Sequence, residues 1–161
     1  AFSPSSKQTA SPPAADGSAK AGTTAAAGAF TARTLQGVQV AVPGSRPSVL
    51  FFFSVGCGEC VNGVRSLGEA ATAAEKSGAG ASFLAVDMDP GESKETIEGF
   101  MEYVDAEHVP AAIDEGAALS QRFDVAALST LIVIDGDGKV TFRATEPDAK
   151  TITAELVKAG A

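Results

Sequence analysis

Three stretches of this chain are apolar at nearly every position: residues 49–53 (VLFFF), 82–87 (SFLAVD) and 130–135 (TLIVID). A strand with one face in water alternates apolar and polar residues. These do not, so each is predicted to be a strand buried on both faces. After the first run, Val61, Val64, Leu67, Ala71 and Ala74 recur at helical spacing until Gly78 and Gly80 end the pattern. After the second, Asp89-Pro90-Gly91-Glu92 predicts a helix start with Asp89 as the cap, and Ile97, Phe100, Met101 and Val104 form its apolar face. Strands alternating with helices imply a parallel core with both faces covered. Residues 30–34 and 38–42 flank Gln36-Gly37 as a short hairpin. Residues 110–114 read as a short strand and 117–123 as a short helix. Gly136-Asp137-Gly138 turns the third run back into a strand over 139–143. Residues 148–159 close the chain as a helix with Ile152, Leu156 and Val157 inward. The expectation is an α/β domain over residues 30–161, with a central mixed sheet flanked by helices and an N-terminal β-hairpin.

Residues 1–29 are different: 24 of them are Ala, Ser, Pro, Gly or Thr, and Phe2 is the only large apolar side chain. Such a segment cannot bury enough surface to offset its ordering entropy. It is expected to be a disordered tether, the stalk between a folded domain and a membrane anchor or signal peptide outside this sequence. The net charge of −8 argues against nucleic-acid binding and against anionic membrane surfaces. With one histidine, His108, a His-centred triad or His-rich metal site has little to draw on.

The two cysteines stand together in Gly56-Cys57-Gly58-Glu59-Cys60, between the first buried strand and the helix after it. This places Cys57 at a helix N-terminus, where free amides and the helix dipole favour a thiolate. Cys60 then lies one turn further in, within reach of a mixed disulfide on Cys57, as thiol–disulfide exchange requires. Zinc would need two more ligands, with only His108 to offer. A purely structural disulfide closing so small a loop would remove little unfolded-state entropy. Two inert buried thiols are the remaining plain alternative.

The order of these motifs resembles the thioredoxin superfamily, and most nearly the extracytoplasmic TlpA/ResA-like thiol–disulfide oxidoreductases. FTARTLQGVQVAV is similar to their N-terminal hairpin and SVLFFFSVGCGEC to their strand and active-site loop. FLAVDMD, HVPAAID and QRFDVAALSTLIVIDGDGKV follow in their order. The resemblance implies a thioredoxin-like fold, with Cys57 as attacking and Cys60 as resolving thiol. It implies that Gly58, Glu59, Ser129 and Thr130 line the site, with no cofactor and no metal. Expected partners are protein thiols or disulfides, with a membrane electron donor among the candidates. Expected too is a monomer outside the cytoplasm, tethered through its N-terminus.

Four positions depart from the family pattern. Gly56 replaces an aromatic residue before the first cysteine, and Gly63 replaces a glutamate three residues after the second. Phe51 stands where thioredoxins have a buried acid, which leaves Glu59 as the nearest proton acceptor in sequence. Ser129 occupies the place of the cis-proline. A non-proline cis bond costs about 2.5–4 kcal/mol, so Leu128–Ser129 is expected to be trans and the groove for extended substrates lost. Proline at 129 is expected to restore it. These departures keep open a second reading, a non-enzymatic thioredoxin-fold module that binds a partner or a metal ion, as copper chaperones do. A peroxidase lacks its Thr-x-x-Cys site here.

Overall fold

A computed structural model describes residues 30–161; the expected tether, residues 1–29, lies outside the described residues. The chain begins with an antiparallel hairpin, β1 (Phe30–Arg33) and β2 (Gln39–Val42). Gly37, at φ 82°, makes the left-handed turn between them that a Cβ would oppose. A five-stranded sheet follows, built from β3 (Ser48–Phe53), β4 (Ser82–Asp87), β5 (Ala111–Ile113), β6 (Thr130–Ile134) and β7 (Val140–Thr145). Their order across the sheet is β5-β4-β3-β6-β7. β3, β4 and β5 run parallel, while β6 is antiparallel to both β3 and β7. This is the mixed, helix-flanked sheet that the sequence pattern predicts.

The central strands show why their sequences lack alternation. Every residue of β3 and β6 is buried. Val49, Phe51 and Phe53 face one layer, and Leu50 and Phe52 the other. The first layer is covered by α1 (Cys60–Ser77), α2 (Lys94–Tyr103) and α4 (Ala149–Lys158). The second lies under the hairpin, which supplies Ala32 and Val42, and under the short α3 (Ala118–Arg122) with Phe123 and Val125. β7 alternates half-buried and exposed residues, as an edge strand should. Among the described residues no helix is long and apolar enough to cross a membrane.

Local chemistry differs from the sequence expectation in three places. α2 starts at Ser93, whose hydroxyl accepts the Thr96 amide; Asp89 instead closes a turn by accepting the Gly91 amide. Proline and glycine after Asp89 suit that turn as well as a helix start, so the motif alone could not separate the two. In α4 the Asp148 cap is as expected, but Val157 is exposed, one position off the Ile152–Leu156 stripe. α1 begins at Cys60, not at Cys57.

Candidate active site

β3 ends at Phe53, and the chain leaves the sheet through two successive tight turns. The Cys57 amide donates to Ser54 O, and the Cys60 amide to Cys57 O. Cys57 therefore lies in the turn ahead of α1, and Cys60 is the first helical residue, with Glu59 at the cap position making no side-chain cap bond. The two cysteines form a disulfide across Cα atoms 5.4 Å apart. Their exposures differ sharply. Cys57 is half-buried, whereas Cys60 is fully buried in the layer beneath α1.

Gly56, Gly58 and Glu59 are exposed. A Cβ on Gly56 or Gly58 would meet nothing within 4 Å, so the surface around Cys57 is left open. Glu59 is exposed, so it is not a buried proton acceptor beside Cys60.

Ser129 faces the disulfide from the loop before β6. It is fully buried, and its hydroxyl donates to Cys60 Sγ at 3.2 Å and lies 3.9 Å from Cys57 Sγ. Among the described residues the only cis peptide bond is Val42–Pro43, so Leu128–Ser129 is trans as expected. Ser129 adopts φ 62°, a left-handed conformation that costs a residue with a Cβ about 1–2 kcal/mol. Both its backbone groups are used internally: its amide donates to Phe52 O at 2.8 Å, and its carbonyl accepts the Glu146 amide at 3.0 Å. Thr130, mostly buried, opens β6 and donates its hydroxyl to Ala127 O at 2.7 Å, which folds the loop on itself. Arg143 braces the same loop from β7, donating to Phe123 O and Asp124 O.

Two residues stand closer to the site than the sequence pattern implies. Asp87, the last residue of β4, is fully buried. It pairs with Phe53 across the parallel ladder, and alternation along β4 sets it with Ala85, on the side of the sheet that holds Cys60. Asp87 Oδ1 accepts the Asp89 amide at 2.8 Å, while Oδ2 has no hydrogen-bond partner. Burial, together with the neighbouring Glu92 carboxyl, pushes Asp87 up to about 7. Glu92 accepts the Val55 amide with both oxygens, at 2.9 and 3.1 Å, and so reaches into the active-site loop. The signal in the sequence is an acid at the end of an otherwise apolar strand, a position that turn chemistry accounts for equally well.

His108 stands apart from the cysteines in its bonding: its Nε2 lies 2.8 Å from Gly68 O and 3.1 Å from Thr72 Oγ1, on α1. A groove of about 770 Å³ near Leu35, Val38, Glu98, Glu102 and His108 includes neither cysteine.

Comparison with known proteins follows this geometry. The family model described as Redoxin matches residues 20–159. A Streptomyces lividans protein described as "Mercury resistance operon ORF3" is 59% identical over 143 residues, 89% of this chain and 76% of its own. Among solved structures, a secreted Mycobacterium tuberculosis disulfide oxidoreductase homologous to E. coli DsbE superposes with TM-score 0.66 at 18% identity, over 80% of this chain and 95% of that one. StoA from Bacillus subtilis gives 0.68 at 15% identity, over 79% and 95%. At these identities the structural likeness shows a shared thioredoxin-like fold.

Proposed function

From a chain that belongs to the Redoxin family and has a thioredoxin-like fold, we infer a thiol–disulfide oxidoreductase in which Cys57 and Cys60 exchange their disulfide with protein partners, Cys57 attacking and Cys60 resolving. The observation that carries the assignment of roles is the contrast in exposure between the two sulfurs. In the reductive direction the Cys57 thiolate attacks one sulfur of a substrate disulfide. That bond breaks, and the first substrate thiolate leaves and takes a proton. Cys60 then loses its proton and attacks Cys57 Sγ. The mixed disulfide breaks, the second substrate thiolate leaves and is protonated, and two electrons have passed from the dithiol to the substrate. The Ser129 hydroxyl supports this second step, because a hydrogen bond to sulfur favours the thiolate. Running the steps backwards oxidises a partner dithiol.

Substrate selection is narrow in this reading. An extended peptide docking beside the cysteines would need free backbone groups at position 129, and both are already bonded within the fold. Recognition then rests on the open surface around Gly56, Cys57 and Gly58. We place the protein outside the cytoplasm as a TlpA/ResA-like monomer held by its N-terminal segment. Support comes from the composition of residues 1–29 and from the description of the Mycobacterium tuberculosis protein as secreted.

A second reading is favoured by the mercury-resistance description of the Streptomyces lividans relative. Once reduced, the two thiols are soft ligands suited to a soft cation such as Hg(II). The test takes both together. Insulin-disulfide turnover is measured for wild type and Cys57→Ser, and mass spectrometry of the reduced protein with Hg(II) records any adduct. Turnover lost in Cys57→Ser supports the oxidoreductase reading. An inert wild type that still takes up one Hg(II) per dithiol replaces it with the second.

A further inference from the structure

We propose that Asp87 and Glu92 form a proton-sharing carboxyl pair that holds the Cys57–Cys60 loop through the Val55 amide, and so act as positioning residues for disulfide exchange. This rests on the oxidoreductase reading for its purpose, though the pair itself can be tested without turnover.

Three observations support the pair. First, Asp87 is fully buried at the end of β4, directly beside Phe53, where β3 gives way to the redox loop. Second, its Oδ2 is unpartnered if the carboxyl is ionised, because a carboxylate can only accept. A proton on Asp87 resolves this, since the carboxyl then donates to Glu92. Third, Glu92 is already committed to the loop, with both oxygens on Val55 N–H, two residues before Cys57. Burial and the Glu92 charge both raise Asp87, to about 7, so the proton is held up to neutrality.

The charged and titratable groups around Asp87 are few. Asp89, on its own loop, adds a like charge and donates its amide to Oδ1. From the segment after β5, Asp114 donates its amide to Asp87 O, while its carboxylate accepts from Leu119 and Ser120 at the start of α3. From β3 the neighbour is the apolar Phe53, and beyond it lie the cysteines, which do not titrate while joined. None of these is a cation.

Below neutrality the protonated Asp87 leaves one negative charge on the pair, and Glu92 keeps Val55. Above it, two adjacent carboxylates repel, and Glu92, half-exposed, turns toward water and releases the Val55 amide. The loop loosens around Cys57.

The test uses the full oxidised chain, where no thiol titrates. The Val55 amide resonance is followed by NMR as pH is raised through neutrality, for wild type, Asp87→Asn and Glu92→Gln. Asn keeps a donor toward Glu92 at every pH, and Gln keeps an acceptor for Val55. We expect a Val55 titration in wild type that is lost in both variants. In the reduced proteins, the same variants lose the matching inflection in the pH profile of Cys57 alkylation. A Val55 resonance that does not titrate, or that titrates identically in either folded variant, overturns the proposal. Absence of insulin turnover with the Val55 titration intact overturns only the oxidoreductase reading.

Discussion

The ring of Phe51 lies against the Cα of Gly63, so closely that a Cβ at Gly63 would run into it. These are two of the positions where the chain departs from the family pattern that its sequence resembles, each standing in place of an acid. Here the two make an apolar contact between β3 and α1, while Asp87, on the neighbouring strand, is fully buried.

Gly63→Ala is therefore expected to destabilise, although alanine in a helix interior gains about 1 kcal/mol over glycine. Forcing a methyl group into a filled core costs about 1–3 kcal/mol, and the Phe51 ring is itself fully buried and unable to retreat into solvent. Urea unfolding of Gly63→Ala, Phe51→Leu and the double variant checks this. The double variant should cost less than the two single changes added together.

At position 129 proline is not the remedy that its place in the sequence suggests. The backbone there has φ 62°, and proline is confined to about −65°. Its ring would also remove the amide that bonds Phe52 O. Ser129→Pro should lose about 3 kcal/mol or more and gain no reductase activity. Ser129→Gly should be at least as stable as wild type, since glycine accepts this conformation freely. Its redox potential should fall by about 20 mV, because losing a hydrogen bond worth about 1 kcal/mol removes support for the reduced form. Equilibration with glutathione measures that shift.

Alkylation of the single-cysteine variants should be faster at Cys57, which is half-exposed, than at the fully buried Cys60. The ratio expected is on the order of tenfold or more. A faster Cys60 would exchange the two roles.

Stability should depend on pH through Asp87. The native state holds a proton up to about 7, whereas an unfolded aspartate releases it near 3.8. Between these values the native state binds more protons, so stability is greatest on the acid side and falls as pH rises toward neutrality, then levels off. The change is at most about 4 kcal/mol. Asp148 works in the opposite sense: hydrogen bonds from Thr151 hold its carboxyl below the usual range, so its contribution is lost in acid. Asp87→Asn should remove the neutral-side slope in urea midpoints taken across pH, and leave the acid-side loss in place.

Much of this was legible in the sequence, for physical reasons that differ by element. The runs 49–53 and 130–135 announced central strands because burial on both faces leaves no polar position. Cys57 and Cys60 announced the site because two thiols three residues apart have few other uses. Ser129 was found by its place before β6, but its left-handed backbone was not, since serine carries no signal for positive φ as glycine does. The parts of Asp87 and Glu92 do not show in the sequence, because the tie of Glu92 to Val55 spans 37 residues and the place of Asp87 beside Phe53 depends on the parallel pairing of β3 with β4. No local pattern records such a tie.

The loops at one end of the parallel strands are cross-tied. Met88 donates to Phe53 O, Asp114 to Asp87 O, and Val55 to Glu92. Three segments distant in sequence thus share one set of fastenings at the rim of the sheet. In the language of local unfolding they form one cooperative unit, so that opening any one of them frees the others. Below neutrality, where Glu92 holds Val55, the amides of Val55, Met88 and Asp114 should exchange with solvent deuterium at a common rate, so that the redox loop opens only together with its neighbours.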